Sequence, residues 1–383
     1  MTILISTIPQ DAHAAAVAWA LRSLGSKVVT WMPQGFPLSQ RISLSFEGGQ
    51  PERAVMKRAD ETLDLTNIRV FWSRRSLSPA MNDSVHPADR STVIRESQQV
   101  LLGLRLTHLQ NAIWVNSLRG RSRADSKINQ LHLARQLGLT IPATLVSNDP
   151  DEVRRFYDAQ GGEVVAKPFM ATTWEDEEAG QVHMSHTTRL TEAGVEMREA
   201  IRLCPMIYQS LLKRRCDVRI TIMGRTARAL AIYPRKADSG RVDWRLEHSL
   251  KECLEVVTLP DAVLEQCVTL MKELDIVFGC FDYAIDEAGN WVFIEVNEMG
   301  QWIWMEQQFP EIPILAEFAQ FLQAPSADFQ AKPVKTDALS MARYMESADF
   351  QAWQADPIND RSGEIVGGNE VIREDLLRKQ AKG

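Results

Sequence analysis

The chain has 383 residues, 45% of them hydrophobic and 24% charged, a globular composition that excludes disordered, collagen-like and low-complexity classes. Its length suits two or three domains of about 100–200 residues, each able to bury a core without disulfides. The 43 Lys and Arg against 50 Asp and Glu leave a net charge of -7, which argues against nucleic acid as the main partner because phosphate backbones select a basic face. The N-terminus MTILISTIPQDAHAAAVAWALRSLG has no basic n-region and no apolar run of the roughly 18 residues a membrane span requires, so no membrane partner is expected. The five cysteines, Cys204, Cys216, Cys253, Cys267 and Cys280, form no C-x-x-C pair and no zinc spacing. They read as reduced packing thiols of a cytoplasmic protein.

In chain order, Ile3-Leu4-Ile5 is an apolar run of strand type, Pro9 breaks it, and Asp11 opens a helix to about Leu24 that Gly25 stops. Lys27–Trp31 reads as the next strand, and this β-α-β order predicts parallel pairing in an α/β layer. Ile68–Trp72 continues the layer, His86–Leu109 is a long amphipathic helix, and Asn111–Asn116 is a further strand. The Arg-rich stretch Ser117–Arg123 reads as a loop and as the first boundary. Ile128, Leu131, Ala134 and Leu137 predict one helix over Ala124–Leu137, followed by extended chain over Ile141–Val146. A helix from Asp149 or Pro150 to about Asp158, a strand Glu163–Pro168, an acidic loop around Trp174–Glu178 and a strand Val182–Thr188 come next. Thr191–Leu203 is helical and Met206–Gln209 is a short strand. Val218–Met223 and Thr226–Ile232 flank Gly224-Arg225 as a hairpin, Asp261–Leu274 is a helix, and Phe278–Ile285 with Trp291–Val296 form a second hairpin. A helix from Pro310 to about Leu322 closes the compact region, and the residues from about Gln323 read as an appended tail.

The second hairpin carries the most information. Glu295 and Asn297 share a strand face, and pairing Asp282 with Glu295 and Ala284 with Phe293 makes the other face uniformly apolar, with Phe281, Tyr283, Ile285, Val292, Ile294 and Val296. Asp282, Glu295 and Asn297 then converge as hard oxygen donors suited to Mg²⁺ shared with a substrate's phosphates. No P-loop exists to hold such phosphates, so lysines elsewhere must do so. Lys167 ends the apolar strand Val164-Val-Ala-Lys, where Pro168 forces the chain out of the sheet, and Lys127 lies near a helix start. Asp217 and Arg219 share a strand face, and an arginine there could hold a carboxylate or phosphate in bidentate fashion. Asp243-Trp244-Arg245 is a further polar pair around an indole.

Taken in order, SKINQLHLARQLGLTIPAT with Lys127, VVAKP with Lys167, YQSLLKRRCDVRITIMG, and FDYAIDEAGNWVFIEVNEMGQW resemble the ATP-grasp carboxylate ligases. IPQDAHAAAV, FWSRRS, IWVNS, LGLTIPATLVSNDP, DWR and EVNEMGQW look closest to the microviridin-type ligases that crosslink ribosomal peptides, the graspetide maturases. The resemblance covers roughly residues 1–322. It implies an ATP-grasp fold of α/β and α+β lobes: a pre-ATP-grasp domain over 1–118, a central lobe over 119–205, a Mg-ATP lobe over 206–322, and an extension over 323–383. It further implies that Lys127 and Lys167 contact ATP phosphates, that Gln209, Ser210, Leu211 and Leu212 form a hinge binding adenine through its backbone, and that Asp217 lies on the nucleotide side. Arg219 would steady the transferred phosphoryl group, with Lys167 assisting, while Asp282, Glu295 and Asn297 hold Mg²⁺. The hinge departs from the family in carrying Ser210 where an acidic residue is common, and the loop after Lys167 is acidic rather than glycine-rich.

The implied reaction uses ATP and Mg²⁺ to turn a side-chain carboxylate of a precursor peptide into an acyl phosphate, which a Ser/Thr hydroxyl or a Lys amine then captures. A leader-binding surface between residues 170 and 205 and near Arg235–Arg245, and a homodimer, follow from the same resemblance. Two alternatives share the nucleotide site: a ligase joining an amino acid or amine to a protein tail or small carboxylate, and a nucleotide-binding regulator without catalysis.

Overall fold

The computed structural model describes residues 2–50, 52–59, 61–170, 186–233, 253–334 and 338–359, and, as backbone only, 173–176, 181–184, 364–367 and 370–373. It begins with β1 (Thr2–Ser6), α1 (Ala12–Ser23) and β2 (Lys27–Trp31), then a small antiparallel sheet of β3 (Gln40–Ser45), β4 (Arg53–Arg58) and β5 (Glu61–Asp64). β6 (Ile68–Ser73), α2 (Arg90–Leu106) and β7 (Ile113–Val115) complete a four-stranded parallel sheet of order β2-β1-β6-β7. Asp11 caps α1, its Oδ1 accepting from the His13 and Ala14 amides, as the sequence pattern predicts. The long helix is shorter than expected, because His86 and Pro87 open a separate turn before Arg90.

The predicted Arg-rich loop is instead a helix, α3 (Leu118–Asp125), capped by the Ser117 hydroxyl. The expected single helix over 124–137 breaks at Ser126, whose extended backbone and side chain cap a new helix, α4 (Lys127–Gln136). A capping serine inside a continuous apolar spacing hid this break.

The central lobe holds β8 (Thr144–Ser147), α5 (Pro150–Ala159), β9 (Val164–Lys167), the backbone hairpin β10 (Thr173–Asp176) with β11 (Gln181–Met184), β12 (Thr188–Arg189), the short helices α6 (Glu192–Glu196) and α7 (Arg198–Leu203), and β13 (Met206–Ser210). Its sheet has the order β12-β9-β13-β8. Part of the expected acidic loop is thus strand β10, and its remainder, 177–180, lies outside the described residues, as do Arg235–Arg245 and the Asp243-Trp244-Arg245 pair.

The last sheet, of order β16-β15-β14-β17-β18, joins β14 (Arg214–Met223), β15 (Thr226–Ile232), β16 (Leu254–Val256), β17 (Phe278–Asp286) and β18 (Trp291–Asn297), with α8 (Asp261–Leu274) across one face. Val218, Ile220, Ile222, Phe281, Tyr283, Ile285, Phe293 and Val296 pack there against α8 and against Leu133 and Ala134 of α4. The predicted pairing Asp282↔Glu295 holds, but a bulge follows it, so Phe293 lies opposite Tyr283 and Val292 opposite Ala284. The bulge absorbs Ile294 and turns Phe293, not Val292, onto the α8 face.

The helix expected from Pro310 to about Leu322 is α10 (Ile314–Gln323), which starts only after Pro313, and a further short helix, α9 (Ile303–Gln308), precedes it. Phe318 of α10 packs on Trp72 at 4.8 Å, so the parallel N-terminal sheet and the last sheet share one core. α11 (Met341–Glu346) and α12 (Ala348–Ala355) belong to it as well: Leu339, Met341 and Tyr344 are buried in it. Tyr344 also meets Trp19 of α1 at 5.6 Å, and Arg22 reaches Asp349 at 2.5 Å. The backbone strands β19 (Glu364–Gly367) and β20 (Glu370–Arg373) pair with each other. No helix among the described residues is long and apolar enough to cross a membrane.

Removing the buried ring in Tyr344→Ala should cost about 3 kcal/mol in denaturant unfolding. A change near zero would show that the segment after Asp337 is dispensable to the core.

Candidate active site

The site grows from the polar face of the last sheet. Arg219 on β14, Asp282 on β17 and Glu295 on β18 lie side by side across three strands. Side chains directly opposite across antiparallel strands sit about 5 Å apart, so two carboxylates placed this way repel unless each is paired. Both are paired. Nη1 of Arg219 lies 2.8 Å from each oxygen of Asp282, and its Nη2 donates to the Gln301 carbonyl at 3.3 Å. Burial works against the charge on Arg219, but Asp282 together with Cys280 and Glu295 outweighs it and the net shift of its pKa is upward. Lys127, the first residue of α4, reaches Oε2 of Glu295 at 2.9 Å.

Asn297 lies one strand step further on, opposite Cys280, and its amide oxygen accepts from the Met299 and Gly300 amides at 3.0 and 2.8 Å. Asp217 shares the Arg219 face, and its carboxylate is held by Arg214 Nε at 2.8 Å. Lys167 ends β9 opposite Ile207 of β13 in the neighbouring sheet. In the hinge, Gln209 is buried and its amide donates to the Thr144 hydroxyl at 3.0 Å. The amides of Ser210 and Leu211 already donate to the Ala143 and Glu163 carbonyls. The structure therefore gathers Lys127, Arg219, Asp282, Glu295 and Asn297, and leaves Lys167 and the hinge on the adjoining sheet.

Two carboxylates and a carboxamide are a hard-oxygen set that fits Mg²⁺, and a site completed by phosphate oxygens needs no larger cluster of protein acids. No group of three or more His, Cys, Asp or Glu with metal geometry occurs among the described residues. The two cations now on Asp282 and Glu295 show that this face requires positive charge.

Sequence reading missed the residues that hold the loop after β18. Asn116 follows β7, and its side chain is buried between the lobes. It donates to the Phe278 and Glu298 carbonyls at 2.8 and 3.1 Å and accepts from the Val277 and Phe278 amides. Arg74 donates to the Met299 carbonyl at 2.8 Å, and Arg121 pairs with the buried Glu298 at 3.0 Å. Burial raises the pKa of Glu298 and the Arg121 charge opposes that rise. His13 Nε2 accepts from the Trp302 and Ile303 amides at 3.0 and 3.3 Å, which assigns its proton to Nδ1. Gly300 is required where it stands, with φ +49 and a would-be Cβ 2.1 Å from Cys280 Sγ. The polar residues His13, Arg74 and Asn116 carry no periodic signal, and only their presence in the quoted motifs hinted at a role.

Burial, reinforced by the Arg74, Arg75 and Arg219 charges, holds the His13 pKa well below 6.5. As pH falls below about 6.5 the unfolded chain takes up a proton that the folded chain refuses, so this term is lost on acidification. His13→Asn, which cannot titrate, should flatten the fall of stability between about pH 6.5 and 5 in denaturant midpoints. Parallel profiles for the two proteins would contradict the assignment.

A family model described as the MvdD pre-ATP grasp domain matches residues 2–121. No curated protein matches the sequence. Among solved structures, a Chryseobacterium gregarium RiPP-associated ATP-grasp ligase, in complex with ADP and a leader and core peptide, is similar with 24% identity and a TM-score of 0.77, over 86% of this chain and 99% of that one. Macrocyclase MdnB from Microcystis aeruginosa MRC is similar with 28% identity and a TM-score of 0.70, over 84% of this chain and 98% of that one. The ATP-grasp ligase PsnB, complexed with minimal precursor, Mg and ADP, is similar with 22% identity and a TM-score of 0.65, over 84% of this chain and 97% of that one. Residues 2–121 thus match a pre-ATP-grasp domain of the MvdD type, and the chain as a whole has the ATP-grasp ligase fold.

Proposed function

We propose that the chain is an ADP-forming ligase that activates a side-chain carboxylate of a ribosomal precursor peptide and closes it onto a hydroxyl or amine of the same peptide. The observation that carries this reading is the opposed pair Asp282 and Glu295 with Arg219 and Lys127 upon them. It is supported by the pre-ATP-grasp match and by solved neighbours whose complexes hold ADP, Mg and precursor peptides.

Asp282, Glu295 and, once its oxygen turns out of its own loop, Asn297 would hold Mg²⁺, which when bound neutralises the phosphate oxygens. Lys127 and Lys167 would meet those oxygens from two sides. The hinge amides of Ser210 and Leu211 are already engaged, so adenine would be met there by hinge carbonyls and by the Leu212 amide. An oxygen of the peptide carboxylate attacks the γ-phosphorus, the bond to the β–γ bridging oxygen breaks, and ADP leaves. A hydroxyl or amine then attacks the acyl carbon, phosphate departs, and the nucleophile's proton goes to solvent or phosphate. Such transfer needs positioning and charge neutralisation more than a protein nucleophile, in keeping with a site whose converging groups are carboxylates, a carboxamide and cations. Arg219, anchored on Asp282, keeps a positive charge beside the transferred group.

The same proposal places the enzyme in the cytoplasm, in keeping with its free thiols, and includes a homodimer, for which the mass in solution is the test. Co-expression with a neighbouring Thr/Ser- and Asp/Glu-rich short peptide should remove one water per bond in its mass spectrum, and an unchanged peptide mass would defeat the peptide assignment. Glu295→Gln should lower ADP formation by about a hundredfold or more. Its unfolding midpoint should stay close to wild type, because a partly exposed ion pair contributes little to stability. Undiminished turnover would remove Glu295 from the metal site.

A further inference from the structure

β18 is an edge strand, so the outward N–H and C=O of its residues need partners from outside the sheet. Val296, between Glu295 and Asn297, finds both in one side chain. Gln130 Nε2 donates to the Val296 carbonyl at 2.8 Å, and its Oε1 accepts from the Val296 amide at 2.9 Å. The second Nε2 proton goes to the Ala124 carbonyl in the last turn of α3. The carboxamide is buried, at 3% exposure, and it ties together the end of α3, helix α4 and strand β18.

Lys127 stands three residues before Gln130 on α4, so the two project from the same side of the helix one turn apart. Their contacts on β18 are sequence neighbours: Gln130 holds Val296 and Lys127 meets Glu295. We propose that Gln130 is a positioning residue that sets the helix α4 on the strand β18 so that Lys127 and Glu295 address the same metal-bound nucleotide phosphate. This deepens the ligase reading and rests on it. Satisfying an edge strand alone does not demand this residue, because another tie on the same edge, the Phe293 amide to the Thr140 carbonyl, uses backbone only. The Gln130 carboxamide is spent on the backbone of Ala124 and Val296.

The test is calorimetric binding of ADP to the full chain, with and without Mg²⁺, for wild type, Gln130→Met, Gln130→Asn, Lys127→Met and the Lys127→Met/Gln130→Met double variant. Gln130→Met removes all three bonds at nearly constant volume. Gln130→Asn keeps the carboxamide and shortens its reach by one methylene. Both should weaken MgADP binding by about tenfold or more. The double variant should bind MgADP within about twofold of Lys127→Met, because the two residues act through one geometry. Circular dichroism and the melting midpoint show which variants are folded. Wild-type MgADP affinity in either folded Gln130 variant, or losses that multiply in the double variant, would overturn the proposal while leaving the ligase reading standing. Failure of the wild-type protein to bind ADP with or without Mg²⁺ would instead overturn the ligase reading, and the inference with it.

Discussion

Two carboxylates face each other on adjacent strands, Asp282 on β17 and Glu295 on β18, and that repulsion is the constraint around which the rest of the molecule is arranged. A sheet built for stability alone would not place like charges in register. Here the cost is offset by a buried arginine on the next strand and by a lysine on a helix that crosses the sheet edge. Each cation must then be held in turn. Arg219 is steadied by the Gln301 carbonyl, and α4 by the Gln130 carboxamide. An ion pair of this kind is poor evidence for stability and better evidence for a site that expects other charges.

The N-terminal lobe serves the same end. Its parallel sheet is covered by α10 from the opposite end of the chain, and α11 completes the same core. The loop after β18 is consequently gripped by side chains from α1, α3 and the residues that follow β6 and β7: His13, Arg121, Arg74 and Asn116. Packing fixes the lobes as bodies, and these polar contacts fix the few residues between Glu295 and Ile303 within them. A buried carboxamide with all its bonds made, as in Asn116, specifies one arrangement more sharply than apolar contacts do.

The parallel layer, the two antiparallel hairpins and the Asp282 to Glu295 pairing were all legible, because period-two alternation and turn residues are local signals. The bulge at Ile294 was not, since Val292, Phe293 and Ile294 are all apolar and either register buries a hydrophobic side chain. The break at Ser126 was hidden in the same way beneath a regular apolar spacing. His13, Asn116 and Gln130 were invisible as site residues because a polar side chain in a helix or loop reads as solvent-facing. Their partners lie more than a hundred residues away, as with Asn116 and Phe278 or Gln130 and Val296. The tail after Gln323 looked appended because Pro and Gly steps interrupt it, while its buried Leu339, Met341 and Tyr344 show a core role that only tertiary packing reveals.

The account stands on Asp282 and Glu295 being metal ligands, and the most direct measurement is a crystal structure of this chain grown with ADP and Mg²⁺. It predicts one Mg²⁺ bridging nucleotide phosphate oxygens to both carboxylates at about 2.1 Å, with Lys127 within hydrogen-bonding reach of a phosphate. A nucleotide bound elsewhere, or a metal at this nucleotide held by neither Asp282 nor Glu295, would contradict it.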